Sequence, residues 1–322
     1  MHYRLISPVF LAAFLMTLLL SACSAASQAA SGDPQAAGSG KLQVVATTTL
    51  VGDVVKNIGG EDIDLHVLIP AGVDEHAFEP NPQDIARVSR ADLVFMNGAG
   101  LEQFTERLTE NAGGKARLIP VSDGIPLKEA TAHAEETEEA HEGETGDPHV
   151  WLDPNNVLVW VDNIEKALAE ANPENAAEFK KNAEAYRQQL KELDGWISQQ
   201  VDTVPVENRK LVTDHTIFTY FASRYGFEQV GAVVPGYSSL SAPSAQELAA
   251  LEDSIRALGV PVIFVGNTVN TSLSERVAQD TQIRLVQILT GSLTEADGPA
   301  PTYLEYMRFN VNAIVSALGQ AK

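Results

Sequence analysis

The sequence predicts an α/β fold of two doubly wound lobes with parallel sheets, joined by a long rigid helix. Three observations carry that expectation. Short segments that are apolar throughout alternate with helical patterns, as parallel strands covered on both faces do. The alternation runs twice, once on either side of the middle of the chain, without a close sequence repeat between the halves. Between the two series lies one sustained helical pattern, 174–201, in which Phe179, Ala183, Tyr186, Leu190, Leu193 and Ile197 recur at spacings of three and four. Such spacing puts them on one apolar stripe. About 28 residues at 1.5 Å per residue make a rod of roughly 40 Å, long enough to cross both lobes and to resist hinge bending.

In chain order, residues 1–22 read as a lipoprotein signal peptide. A short basic start ending at Arg4 is followed by an apolar stretch over 5–20, the length of a signal core and short for a membrane span. The sequence Leu20-Ser21-Ala22-Cys23 resembles the bacterial lipobox, whose cysteine is lipidated and becomes the mature N-terminus. Cys23 is also the only cysteine, so an internal disulfide is excluded. Residues 23–40 are Ala, Ser, Gly and Gln without periodicity, a flexible tether behind the lipid. These segments predict an extracytoplasmic protein anchored to the cell membrane through Cys23.

Residues 41–155 read as the N-terminal lobe, with strands at 42–48, 65–69, 93–97 and 117–121 and helices at 51–58, 83–90 and 101–111. Residues 156–203 read as linking helices, a shorter one at 156–170 and the long one. The long helix starts well: Asn172 offers a capping side chain and Pro173 stands at the first helical position. Residues 204–322 read as the C-terminal lobe, with strands at 211–213, 230–234, 262–265 and 285–289, helices at 218–225, 245–258 and 273–279, and a closing helix at 302–318.

The 322 residues carry a net charge of −21, and loss of Arg4 with the signal makes the mature chain about −22. An acidic surface argues against nucleic acid and against adsorption to anionic lipid, and it attracts cations weakly. A specific cation site needs more, and three histidines supply it. His76, His149 and His215 each sit in a short polar or proline-bearing segment after a β-prone run. Any one alone reads as a cap or loop residue. Together they lie where open parallel sheets gather ligands, beyond the carboxyl ends of strands. Three neutral imidazoles hold a metal and leave a position open. Protonation near their unperturbed pKa of about 6.5 would compete with the metal.

The segments containing these histidines resemble the cluster A-I solute-binding lipoproteins, which serve zinc and manganese importers of the ABC class. The resemblance spans residues 41–322. It includes Asp147-Pro148-His149-Val150-Trp151-Leu152-Asp153-Pro154, the run Phe218-Thr219-Tyr220-Phe221 with Arg224-Tyr225-Gly226, and Tyr306-Met307-Arg308-Phe309-Asn310. It implies that His76, His149 and His215 are metal ligands in a cleft between the lobes. It further implies a monomer that delivers its ion to a permease and ATPase complex.

Two positions depart from the family pattern. Gly291 stands where an acidic fourth ligand is usual, and Gly266 stands where the family tends to carry Glu. Glu75, just before the first histidine, is the nearest substitute; a water is the alternative, with Asp214, Glu295 and Asp297 behind them. Three imidazoles with at most one carboxylate suit tetrahedral Zn²⁺, whereas Mn²⁺ prefers more oxygen donors. The expected cargo is therefore zinc, with manganese as the alternative. The segment 129–146 points the same way, since it holds His133 and His141 among seven glutamates and resembles the acidic histidine-bearing loop of zinc members. Such a composition does not pack into a core. His66 reads as a structural residue of a strand, and His2 leaves with the signal.

The rival classes are a zinc-dependent hydrolase, with Glu75 or Asp214 as base, and an adhesin as a second role. No His-Glu-x-x-His pattern and no nucleophile elbow supports the first, and the chain is expected not to be an enzyme. No sequence feature calls for the second.

Overall fold

The computed structural model describes residues 41–113, 116–128 and 146–319. Cys23, His133 and His141 therefore lie outside the described residues, as do the signal and tether. The described residues form one compact unit.

Its first sheet contains β1 (Leu42–Ala46), β2 (Ile63–Val67), β3 (Leu93–Met96) and β4 (Arg117–Pro120) in the order β2-β1-β3-β4. The second contains β5 (Lys210–His215), β6 (Glu228–Val234), β7 (Val262–Val265) and β8 (Arg284–Gln287) in the order β6-β5-β7-β8. Every pairing is parallel. In each sheet the second strand pairs on one side of the first and the third strand on the other. The crevice created by that reversal opens at the carboxyl ends of the first strands, where doubly wound folds bind ligands.

Helices α1 (Thr49–Gly59), α2 (Pro82–Val88) and α3 (Thr105–Asn111) connect the first sheet. Helices α6 (Thr219–Tyr225), α7 (Ala245–Leu258) and α8 (Ser272–Thr281) connect the second, and α9 (Tyr303–Leu318) closes the chain. Between the sheets run α4 (Pro154–Ala171) and α5 (Ala176–Val201). The 26 residues of α5 make a rod of about 39 Å. Its buried stripe is Phe179, Ala183, Tyr186, Leu190, Leu193, Ile197 and Val201. That stripe packs on α4, on α1 of the first half and on α9 of the second. One hydrophobic core thus runs unbroken from the first sheet through the helices to the second, with smaller clusters under the outer helices of each half. A continuous core of this kind resists bending, because sliding the lobes apart would open close-packed contacts.

Several element bounds differ from the sequence reading by two to four residues, among them β1, which ends at Ala46, and β2, which runs over Ile63–Val67; in two further elements the reason is visible. The helix expected at 101–111 begins only at Thr105. Residues 97–102 instead form a turn stapled by buried Glu102, which accepts from Thr47 Oγ1 (2.6 Å), Asn97 N (2.6 Å) and Gly98 N (3.0 Å). The strand expected at 285–289 ends at Gln287. Asn310 of α9 takes over both backbone groups of Leu289, accepting from its N–H (2.8 Å) and donating to its carbonyl (2.7 Å). That capture turns the chain towards the crevice at Gly291.

Candidate metal centre

Each histidine reaches the crevice by a different route. His76 lies in the loop between β2 and α2; its backbone N–H donates to Asp74 Oδ1 (2.9 Å). His149 lies just before α4. Asp147 Oδ1 accepts both its backbone N–H (2.9 Å) and its ring Nδ1 (2.7 Å). The same segment is fixed from both halves: Asn97 Nδ2 donates to the Pro148 carbonyl (3.1 Å) and Tyr220 Oη to the Asp147 carbonyl (2.8 Å). Trp151, two residues on, donates its indole N–H to Tyr306 Oη (3.2 Å) and accepts at its carbonyl from Tyr303 Oη (2.7 Å). His215 is the last residue of β5. Asp214 Oδ1 accepts from its N–H (2.6 Å) and from its Nδ1 (2.6 Å).

A carboxylate on Nδ1 makes that nitrogen the donor and leaves the Nε2 lone pair free to bind, the arrangement common to metal-bound histidines. Asp147 and Asp214 therefore aim two Nε2 atoms into the crevice. His76 Nε2 completes the group at 3.3 Å from His149 Nε2. One ligand atom from each histidine lies within 4.8 Å of the others. Two nitrogens each about 2.0–2.1 Å from a tetrahedral zinc stand about 3.3 Å apart, so the His76–His149 separation already suits a shared ion. His215 Nε2 is buried and has no hydrogen-bond partner among the described residues.

Glu75 adjoins this group. It is 2 % exposed, its Oε1 is 4.0 Å from His76 Nε2, and its Oε2 is buried without a partner. Its carboxylate occupies the space a side chain at position 291 would fill: a Cβ on Gly291 would overlap all three carboxylate atoms of Glu75. Gly291 is held in place by its neighbour, whose Thr290 carbonyl accepts from Tyr306 Oη (2.5 Å). At Gly266 an added Cβ would meet Thr290 Oγ1, and the Gly266 N–H donates to Asp214 Oδ2. Both Asp214 oxygens are thus engaged in holding His215 and β7. Glu295 and Asp297 are exposed on the surface, and His66 is half-buried in β2.

Electrostatics of the ion-free group follow from burial. It pushes the Glu75 carboxyl up to about 7. Burial, reinforced by the other two imidazoles, holds His76 well below its usual value. Burial also lowers His149 despite Asp147. His215 differs: burial opposes its charge, but the Asp214 hydrogen bond and the charges of Asp214, Glu75 and Asp74 outweigh it and raise the value. The group is an incompletely neutralised cluster of acceptors, an environment suited to a cation.

Sequence reasoning selected the histidines and Glu75 but missed Asp147 and Asp74 as their supports. The signal was local: a carboxylate stands one or two residues before every histidine, at Asp74, Asp147 and Asp214. Tyr220, Tyr303 and Tyr306 act over long range; Tyr220 and Tyr306 stand in runs that carry the family resemblance, but nothing local assigns any of the three to the site.

The family model described as zinc-uptake complex component A, periplasmic, matches residues 44–317. The chain belongs to this family. It is 33 % identical over 309 residues to the manganese-binding lipoprotein MntA of Halalkalibacterium halodurans, covering 95 % of this chain and 96 % of that protein. Among solved structures it is similar to the periplasmic zinc binding protein TroA of Treponema pallidum, with a TM-score of 0.77 and 29 % identity over 87 % of this chain and 99 % of that one. A manganese-bound periplasmic metal binding protein from Candidatus Liberibacter asiaticus matches with a TM-score of 0.74 and 26 % identity, covering 86 % and 99 %. Members of the zinc-uptake component A family are substrate-binding parts of metal ABC transporters, not enzymes, and the hydrolase reading falls with that assignment. As a family member this chain binds a divalent metal for an ABC permease and ATPase. Among the described residues, no helix is long and apolar enough to cross a membrane.

Proposed function

We propose that the chain captures zinc on His76, His149, His215 and Glu75 and hands it to its permease while tethered, as a monomer, by a lipid on Cys23. The observation that carries this reading is the Glu75 carboxylate lying in the side-chain space of Gly291, beside three gathered imidazoles. It supplies from the first half the acidic group that position 291 lacks. Three nitrogens and one carboxylate oxygen form a four-coordinate set suited to Zn²⁺. The tether is in keeping with relatives such as MntA, which is named a lipoprotein. The loop bearing His133 and His141 would concentrate zinc near the cleft.

Manganese is the second reading, favoured by the names of relatives such as MntA and the pneumococcal manganese ABC transporter substrate-binding lipoprotein PsaA. The donor set argues against it: Mn²⁺ loses to Zn²⁺ at nitrogen-rich sites and prefers more oxygens.

Calorimetric titration of the metal-stripped protein with Zn²⁺ and Mn²⁺ tests both readings. One zinc site, tight in the wild type and weakened roughly 10- to 100-fold in Glu75→Ala, is the expected result. Gly291→Asp in the Glu75→Ala background should recover much of the loss, because the new carboxylate enters the vacated space. Equal or tighter Mn²⁺ binding would replace zinc by manganese, and an unchanged affinity in Glu75→Ala would remove Glu75 from the ligand set.

A further inference from the structure

Two of the gathered histidines are shut away from solvent. His149 and His215 are 0 % and 1 % exposed. An ion reaching Nε2 of either must pass between packed groups, so the structure has to contain a route that opens. A cavity of about 210 Å³ lies against His215 and Asp214 on the side of the second half. Its other walls include Asp74, Ser239, Leu240 and Asn270. Leu240 and Asn270 are exposed, so the cavity runs from the surface to the end of β5 at Asp214 and His215. Its lining suits a hydrated cation on its way in: Asp74 and Asp214 supply negative charge, and Ser239 and Asn270 supply oxygen atoms that can replace water.

Two residues of its wall join the halves of the molecule. Ser239 Oγ donates to Asp74 Oδ2 at 2.6 Å, joining segments 165 residues apart. Asp74 is the residue whose other oxygen fixes the backbone of His76. The bond therefore does two things at once. It narrows the vestibule, and it ties the segment carrying the third histidine to the loop after β6. Breaking it frees both.

We propose that this cavity is the passage by which the metal enters and leaves, and that the Asp74–Ser239 hydrogen bond is its gate. The proposal rests on the reading of His76, His149 and His215 as metal ligands. Entry and exit along one path obey microscopic reversibility. A change confined to the path must alter association and dissociation by the same factor and leave their ratio, the affinity, unchanged. A change in the ligand set alters the ratio.

Stopped-flow kinetics with Zn²⁺ alone, on the full-length chain in detergent, separates these cases. Association is followed by mixing with free zinc and dissociation by mixing with excess chelator. Ser239→Ala should raise both rate constants roughly tenfold, the factor for one hydrogen bond to a charged group. Ser239→Thr, which keeps the hydroxyl, should restore them. Asn270→Trp, which fills the outer vestibule, should lower both without changing the dissociation constant. Unchanged rates in Ser239→Ala and Asn270→Trp would overturn the proposal, and so would a rise in dissociation alone, which would make the bond a feature of the loaded state only. Absence of zinc binding by the wild type would instead sink the ligand assignment itself, a result visible before any variant is made.

Discussion

His149 and His215 are each clamped at backbone and ring by an aspartate of their own segment, whereas the aspartate beside His76 ties only its backbone. Each of the first two has an aspartate one or two residues upstream whose single oxygen takes both the backbone N–H and the ring Nδ1. Their rings have little orientational freedom left to lose. His76 has the equivalent aspartate, but Asp74 reaches only the backbone N–H and spends its second oxygen on Ser239. Its side chain is 8 % exposed where the other two are almost fully covered. The difference teaches how a rigid two-lobed frame can still load an ion. Under the proposed ligand assignment, two rings are oriented in advance and the third is left to adjust to the ion, within one segment and without disturbing the shared core.

The largest test of that contrast is removal of the ligands one at a time. A ligand ordered in advance gives its full binding energy to the metal, whereas one that must be ordered on binding loses about 1 kcal/mol or more to conformational entropy. His149→Ala and His215→Ala should each weaken zinc binding roughly 1000-fold, and His76→Ala roughly 100-fold. Isothermal titration on the three variants checks the ranking. Equal losses would show that all three rings are equally organised before the metal arrives.

A smaller effect should follow from loosening the clamps while keeping the ligands. Asp147→Asn and Asp214→Asn preserve shape but remove the charge that orients and polarises the imidazole. Loss of such an outer partner costs roughly 10- to 100-fold in metal affinity. Competition of each variant against a zinc chelator measures it. Affinity unchanged in both variants would break the comparison, since the carboxylates would then be ornaments to rings already fixed by packing.

The parts of this arrangement that the sequence reveals are those written in short-range pattern. Parallel strands announce themselves because burial on both faces forbids polar residues, as in Val262–Val265. The long helix is legible from one stripe of six residues, Phe179 to Ile197, all of them buried in α5. The histidines stand out because they follow strands in polar segments. What is hidden is long-range complementarity. Gly291 reads as a missing carboxylate, and only the fold reveals Glu75 filling its space from 216 positions away in sequence. Asp214 reads as a spare ligand, yet its oxygens are committed to His215 and Gly266. The helix expected from Leu101 starts late because Glu102 turns inward to accept from the Asn97 and Gly98 N–H groups after β3 and from the Thr47 hydroxyl after β1, a tertiary demand that overrides a good helical pattern.

The smallest effect concerns a buried carboxylate with no imidazole to face. Asp53 of α1 lies at the seam between the halves, where its Oδ2 accepts from the Tyr303 N–H at the start of α9 (2.9 Å) and from Tyr186 Oη of α5 (3.4 Å). Burial, against these two donors, pushes its carboxyl up from 3.8 to about 6. Below pH 4 the group is protonated both folded and unfolded and contributes nothing to the pH dependence. Between pH 4 and 6 the folded chain holds its proton more tightly than the unfolded chain, so stability falls as pH rises. Above pH 6 the full cost remains. A shift of this size sets a ceiling of about 3 kcal/mol, and partial access of solvent reduces it to about 1–2 kcal/mol. Asp53→Asn keeps an acceptor for both donors and removes the ionisation. Urea unfolding of the metal-free protein should therefore show the variant more stable than wild type by about 1–2 kcal/mol at pH 7.5, with the two converging near pH 4. A variant less stable at pH 7.5 would mean that the negative charge at the α9 N-terminus contributes more than its burial costs.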